Sequence, residues 1–138
     1  MRRILVAFDG SARSWKALRM GISLAWQHEA ELWALSVEED LPRFPATVGE
    51  VQEEKEREDR RYQQLHGCAR RLAEDRGVSL HSAIATGRAV PTILRYARGG
   101  DFDLILLGGD EHPGAWKTLV GTSSRVSRGA CCSVMVVR

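Results

Sequence analysis

The sequence predicts an α/β fold, a five-stranded parallel sheet with helices on both faces. Short apolar runs of strand length alternate with longer stretches of helical periodicity along the whole chain. Turn residues stand at the junctions, as in Asp9-Gly10-Ser11, Gly99-Gly100 and Gly108-Gly109. Each connection between successive strands is long enough to hold a helix, which parallel neighbours require.

The first run, "RILVAF" from Arg3 to Phe8, is almost continuously apolar, as expected of a strand covered on both faces. In the helix that follows, Trp15, Leu18, Ile22 and Trp26 recur at helical spacing and Ala25 widens the stripe. Ser11 or Ser14 is positioned to cap it. Leu32 to Val37 reads as the second strand, and "LPRFPATVG" as a surface connection interrupted by two prolines.

From Glu50 to Arg76 the pattern is helical, with Tyr62, Leu65, Ala69 and Leu72 as the apolar stripe. The preceding "QEEKEREDRR" has almost nothing to bury, so the first half should project into solvent or begin late. Its pairs Glu53 with Arg57 and Glu56 with Arg60 support an exposed, solvated helix. Gly77 ends the helix and "VSLHSAIA" alternates like a third strand. "TGRAVPTILRYARGG" gives a helix bracketed by glycines, with Pro91 tolerable only in its first turn. "DFDLILLGG" is the fourth strand, "TLVGTSSRVSRGA" holds a short helix near its end, and "SVMVVR" is the fifth strand.

The 138 residues with 43% hydrophobic content suffice for one domain, residues 1–138, with a sizeable core. Lys and Arg number 20 against 18 for Asp and Glu, and no basic block marks a nucleic-acid footprint. The apolar run at the start stops at Asp9, too short for a signal-peptide core or a membrane span, so a cytoplasmic protein with no membrane partner is expected. Cys68, Cys131 and Cys132 lack zinc or redox spacing and read as buried, reduced thiols. His28, His66, His81 and His112 are scattered without metal-ligand spacing and read as surface positions. The chain contains neither G-x4-G-K-[ST], G-x-G-x-x-G nor G-x-S-x-G, and Asp9 has no acidic neighbour after the first strand. No catalytic constellation is visible, and no metal ligand is assigned. In an open parallel sheet, ligands gather at the carboxyl ends of strands where the chain order reverses. Asp9, Val37 and the loop from Gly108 all follow such ends.

Taken in order, "ILVAFDGS", "GRAVPTIL", "DFDLILLGG", "LVGTSSRV" and "CCSVMVV" resemble the universal stress protein family over nearly the whole chain. The resemblance implies a Rossmann-like, adenine nucleotide alpha hydrolase-like fold and a stress-response or signalling role. In nucleotide-binding members the loop after the fourth strand resembles G-x2-G-x9-G-[ST]. Here Gly108 matches the first glycine, Gly121 and Thr122 the closing pair, and Glu111 stands at the middle glycine. Gly121, Thr122 and Ser123 offer backbone N–H groups to phosphate, whereas the Glu111 carboxylate occupies space and repels it.

By the same resemblance Asp9 matches the acid near the adenine and Val37 the adenine-side strand end. The implied ligand is ATP or AMP, bound weakly or in an altered way, with Mg only if a polyphosphate binds. The alternative is a dimeric interaction module that binds no nucleotide and serves an unknown protein partner; a slow ATP hydrolase ranks third. A homodimer through the C-terminal strand is expected, because an uncovered apolar edge invites aggregation and the resemblance points the same way.

Overall fold

The computed structural model describes residues 1–39, 47–109 and 122–138. The elements are β1 (Arg3–Ala7), α1 (Ala12–His28), β2 (Glu31–Glu38), α2 (Val48–Glu74), β3 (Leu80–Thr86), α3 (Ala89–Gly99), β4 (Leu104–Gly108), α4 (Thr122–Gly129) and β5 (Ser133–Val137). All strand pairs are parallel, in the order β3-β2-β1-β4-β5. The chain builds outward from β1 to β3, then returns to the other side of β1 for β4 and β5. The order therefore reverses between β1 and β4, where Ile4 is level with Leu104 and Val6 with Leu106.

The central strands are apolar throughout because alternate residues enter two different cores. Ile4, Val6, Phe8, Leu104 and Leu106 pack with Leu18 and Ile22 of α1 and Ala69 and Ala73 of α2. Leu5, Ala7, Ile105 and Leu107 pack with Val90, Ile93 and Ala97 of α3 and Val126 of α4. A period of two on the strands thus serves both faces.

Ser11 is the N-cap of α1, its side chain accepting a hydrogen bond from the Ser14 backbone N–H at 3.2 Å. The buried stripe of α1 is smaller than the sequence pattern implies: Ser14, Ala17, Leu18, Gly21, Ile22 and Ala25. Trp26, expected on that stripe, is 65% exposed and lies beside Gly77 instead. The reason is close approach. A Cβ on Gly21 would stand 2.9 Å from Val6 Cγ2 and 3.1 Å from Leu32 Cδ1, so the helix backbone sits too near the sheet for an indole on this face. Trp15 is half-buried, edge-on to Phe8 with ring centroids 4.9 Å apart.

Helix α2 begins at Val48, capped by Thr47, whose hydroxyl accepts from the Glu50 N–H at 3.1 Å. Its outer half is largely exposed, as its charge run requires. The inner half buries Tyr62, His66, Ala69 and Ala73, while Leu65 and Leu72 flank them half-buried. His66 is therefore a core residue and not a surface one. Gly77 follows with φ +78, a left-handed turn that ends the run into β3. The proline-containing connection falls mostly on residues 40–46, outside the described residues.

The thiols also depart from expectation. All three are free, but Cys68 and Cys131 are exposed and Cys132 is half-buried. Cys68 is exposed on α2 next to buried Ala69, in a cleft shared with Trp15 and Leu72, and Cys131 falls in a bend ahead of β5. Among the described residues, no helix is long and apolar enough to cross a membrane.

Candidate functional site

The carboxyl ends of β1 and β4 converge on α1. The paired register ends with Val6 level with Leu106, and Asp9 follows three residues beyond on one strand and Gly108 two residues beyond on the other. Asp9 is 8% exposed, and its Oδ1 accepts a 2.9 Å hydrogen bond from the Ser11 N–H. Gly10, at φ +85, turns the chain into α1 where a Cβ would meet Leu65 Cδ1 at 2.8 Å. The carboxylate is thus held by the entry to the helix at the point where the sheet order reverses.

Gly108 permits the other half of this approach. A Cβ there would lie 2.7 Å from Arg13 Cβ and 2.8 Å from the Arg13 carbonyl carbon, so the first turn of α1 rests directly on the end of β4. The Gly109 N–H donates to the Val137 carbonyl at 2.8 Å, which ties the strand end to β5. Arg13 Nη1 would be 3.2 Å from a Cβ on Gly109, placing a guanidinium beside the glycine pair.

Val37 is 1% exposed and its side chain belongs to the core beneath α3. Thr122 opens α4, and Ser123 is buried in the first turn of that helix. Glu111 and Gly121 lie outside the described residues. The structure therefore puts Asp9 and Gly108 at the same end of two adjacent strands and packs Val37 in the core.

Three further groups stand close to this edge of the sheet. Ser36 Oγ donates to the Phe8 carbonyl and lies 2.7 Å from His66 Nε2. With its one proton engaged, the hydroxyl must accept from His66 Nε2–H, which assigns the tautomer of a neutral ring. Burial, and then the charge of Arg70, lowers the His66 pKa to about 4. The pair fixes the carbonyl that immediately precedes Asp9.

Glu38, the last residue of β2, is buried. Its pKa is raised to about 7 by burial first, then by a hydrogen bond to Asp59 and repulsion from Asp59 and Glu58, with Lys55 opposing. Glu38 Oε1 has no hydrogen-bond partner among the described residues. Tyr62 is buried as well; burial raises its pKa, Arg61 opposes, and Asp9 and Glu58 add to the rise. Asp9, beyond β1, and Glu58, on α2 itself, thus both place negative charge within electrostatic range of the phenol. Sequence reading missed Glu38 and His66. The spacing of His66 four residues after Tyr62 and three before Ala69 was the available signal.

Chemically, this edge offers a fixed carboxylate that can accept hydrogen bonds, while Gly108 serves the close packing of α1 on the end of β4. Among the described residues, no group of three or more His, Cys, Asp or Glu is arranged to hold a metal ion.

The sequence profile described as the universal stress protein family matches residues 1–138. The chain belongs to the universal stress protein family. It is similar to universal stress protein YxiE of Bacillus subtilis, 28% identical over 148 residues that cover 99% of this chain and 98% of that protein. Among solved structures, universal stress protein UspA from Lactobacillus plantarum superposes with a TM-score of 0.87 at 28% identity, covering 99% of this chain and 97% of the other. A universal stress protein family member from Arabidopsis thaliana with AMP bound superposes with a TM-score of 0.74, covering 99% and 91% of the two chains; at 14% identity it shares the fold. The family's five-stranded α/β architecture is the one this sheet order builds.

Proposed function

We propose that this universal stress protein is a cytoplasmic stress-response or signalling protein that binds an adenine nucleotide at the carboxyl ends of β1 and β4, gripping the adenosine half more firmly than the phosphates. The observation that carries the reading is Asp9, held at the reversal of strand order beside Gly108, where α1 rests on the end of β4. Solved relatives of the same fold with AMP, cAMP and dAMP bound support it. Glu111 in place of the loop's middle glycine weighs against strong binding of a polyphosphate. Mg enters only with a polyphosphate, between its oxygens and a carboxylate.

Calorimetric titration of adenosine, AMP and ATP into the protein and two variants tests this. Asp9→Ala should weaken all three ligands at least about tenfold, or roughly 1.4 kcal/mol. Glu111→Gly should tighten ATP by a similar factor and leave adenosine nearly unchanged. Equal affinities in all three proteins would remove both residues from the site.

A second reading, a dimeric interaction module without nucleotide, draws on the outer half of α2, which presents charge to solvent over residues 48–61. Mass spectrometry of small molecules released on denaturing the freshly purified protein separates the two. Near-stoichiometric adenine nucleotide supports the first reading; a blank, with no heat on titration, supports the second.

A further inference from the structure

Cys131 and Cys132 stand at the end of the sheet opposite the adenine-side residues, in the bend between α4 and β5. Cys131 is exposed, and Arg98 in the last turn of α3 directs Nη2 to its Sγ at 3.2 Å. A guanidinium in that position stabilises negative charge on the sulfur as it reacts. Cys132, half-buried, packs against the core beneath α3 and α4. Its thiol pKa is raised by burial first and then by Cys131 and Asp103, so it carries a proton at neutral pH. A cleft of about 310 Å³ is lined by both cysteines together with Arg98, Asp101, Phe102 and Asp103, giving a small oxidant access to the pair.

We propose that Cys131 and Cys132 form a two-electron redox site that reacts with a peroxide. The Cys131 thiolate attacks the distal peroxide oxygen, the O–O bond breaks, and the sulfur becomes a sulfenic acid as alkoxide or hydroxide leaves and takes up the proton that the Cys131 thiol released, giving an alcohol or water. The Cys132 thiol then attacks the Cys131 sulfur; an S–S bond forms, the S–O bond breaks, and hydroxide leaves with the Cys132 proton as water. Peroxide is reduced by two electrons and the two thiols are oxidised by two. Neighbouring Cα atoms lie about 3.8 Å apart across a trans peptide, short of the roughly 4.4–6.8 Å that relaxed disulfides span. The bridge is consequently strained and easily reopened by a small thiol, which makes the pair a switch and not a staple.

Cys68 supplies an internal control. It is also exposed and has Arg71 Nη2 at 3.4 Å from its sulfur, but no second cysteine adjoins it in the chain. In a Cys68→Ser background, one equivalent of hydrogen peroxide should remove two hydrogens from the intact mass, and non-reducing peptide mapping should place the bridge between Cys131 and Cys132. Dithiothreitol should restore both thiols. Cys132→Ser should stop at a sulfenic acid on Cys131 that dimedone traps. Arg98→Met should slow the first step several-fold and leave the final product the same. Bridges found only between molecules would overturn the proposal. So would a Cys131 that is oxidised no faster than Cys68 in the unmodified chain, because both thiols are exposed beside an arginine and the neighbouring Cys132 and the cleft would then add nothing.

Discussion

The pKa values of His66, on the inner face of α2, and of Glu38, which meets Asp59 of the same helix, are shifted in opposite directions, and their pH effects oppose each other. His66 has a folded pKa of about 4 against 6.5 when free. Between those values the unfolded chain takes up a proton that the core refuses, so stability falls as pH falls, by about 3 kcal/mol in full. Glu38 has a folded pKa of about 7 against 4.5. There the folded state holds the extra proton, so its contribution is present at low pH and is lost as pH rises through 7. From pH 4.5 to 6.5 the two slopes cancel in part. His66→Leu should therefore leave a protein that is more stable at pH 5 than at pH 7.5, and Glu38→Gln should do the reverse. Urea unfolding at both pH values checks the pair. Parallel pH profiles for the two variants would show that these side chains do not carry the effect.

The elements show which parts of the structure were legible. Strand and helix order followed from periodicity because β1 and β4 bury both faces and α1 and α3 each bury one. The positions of Asp9 and Gly108 at strand ends were legible because turn chemistry marks such ends. What the spacing hid was depth. Hydrophobic periodicity identifies a face but not how near the backbone comes, so it favoured Trp26 where Gly21 sets the contact. It also passed over His66 and Glu38, whose polar side chains are held by partners or protons supplied from other elements. Gly21→Ala tests the close approach directly. Alanine gains about 1 kcal/mol of helix propensity. Its methyl, however, would enter the 2.9–3.2 Å gap lined by Val6, Leu32 and Leu106, and overpacking costs roughly 1–3 kcal/mol. The expected net result is destabilisation of about 1 kcal/mol, read from the denaturation midpoint; a stabilised variant would mean that α1 can lift without loss.

At the scale of the whole molecule, β5 is one of the two edges of the sheet, bonded to β4 on one side, with Met135 37% exposed. Strand edges of this composition are covered in soluble proteins, and a second copy of the chain is the occupant we propose. Sedimentation at micromolar concentration should give a dimer, and Val136→Lys should shift it toward monomer; a wild-type monomer would refute the arrangement. The sheet order has another consequence, for the time course of folding. Strands β1, β2 and β3 are joined by successive crossovers and can assemble while the chain beyond them is still unpaired, whereas β1 waits for β4 across about a hundred residues, where Asp103 Oδ2 accepts from the backbone N–H groups of Arg2 and Arg3. Loop closure makes the distant pairing the slow one. The seam between β1 and β4, which runs out towards Asp9 and Gly108, is therefore expected to close after the first three strands have paired. A molecule seated across its mouth would act as a clasp on the C-terminal half of the sheet, slowing its detachment while leaving the three-stranded first half to exchange at its own rate.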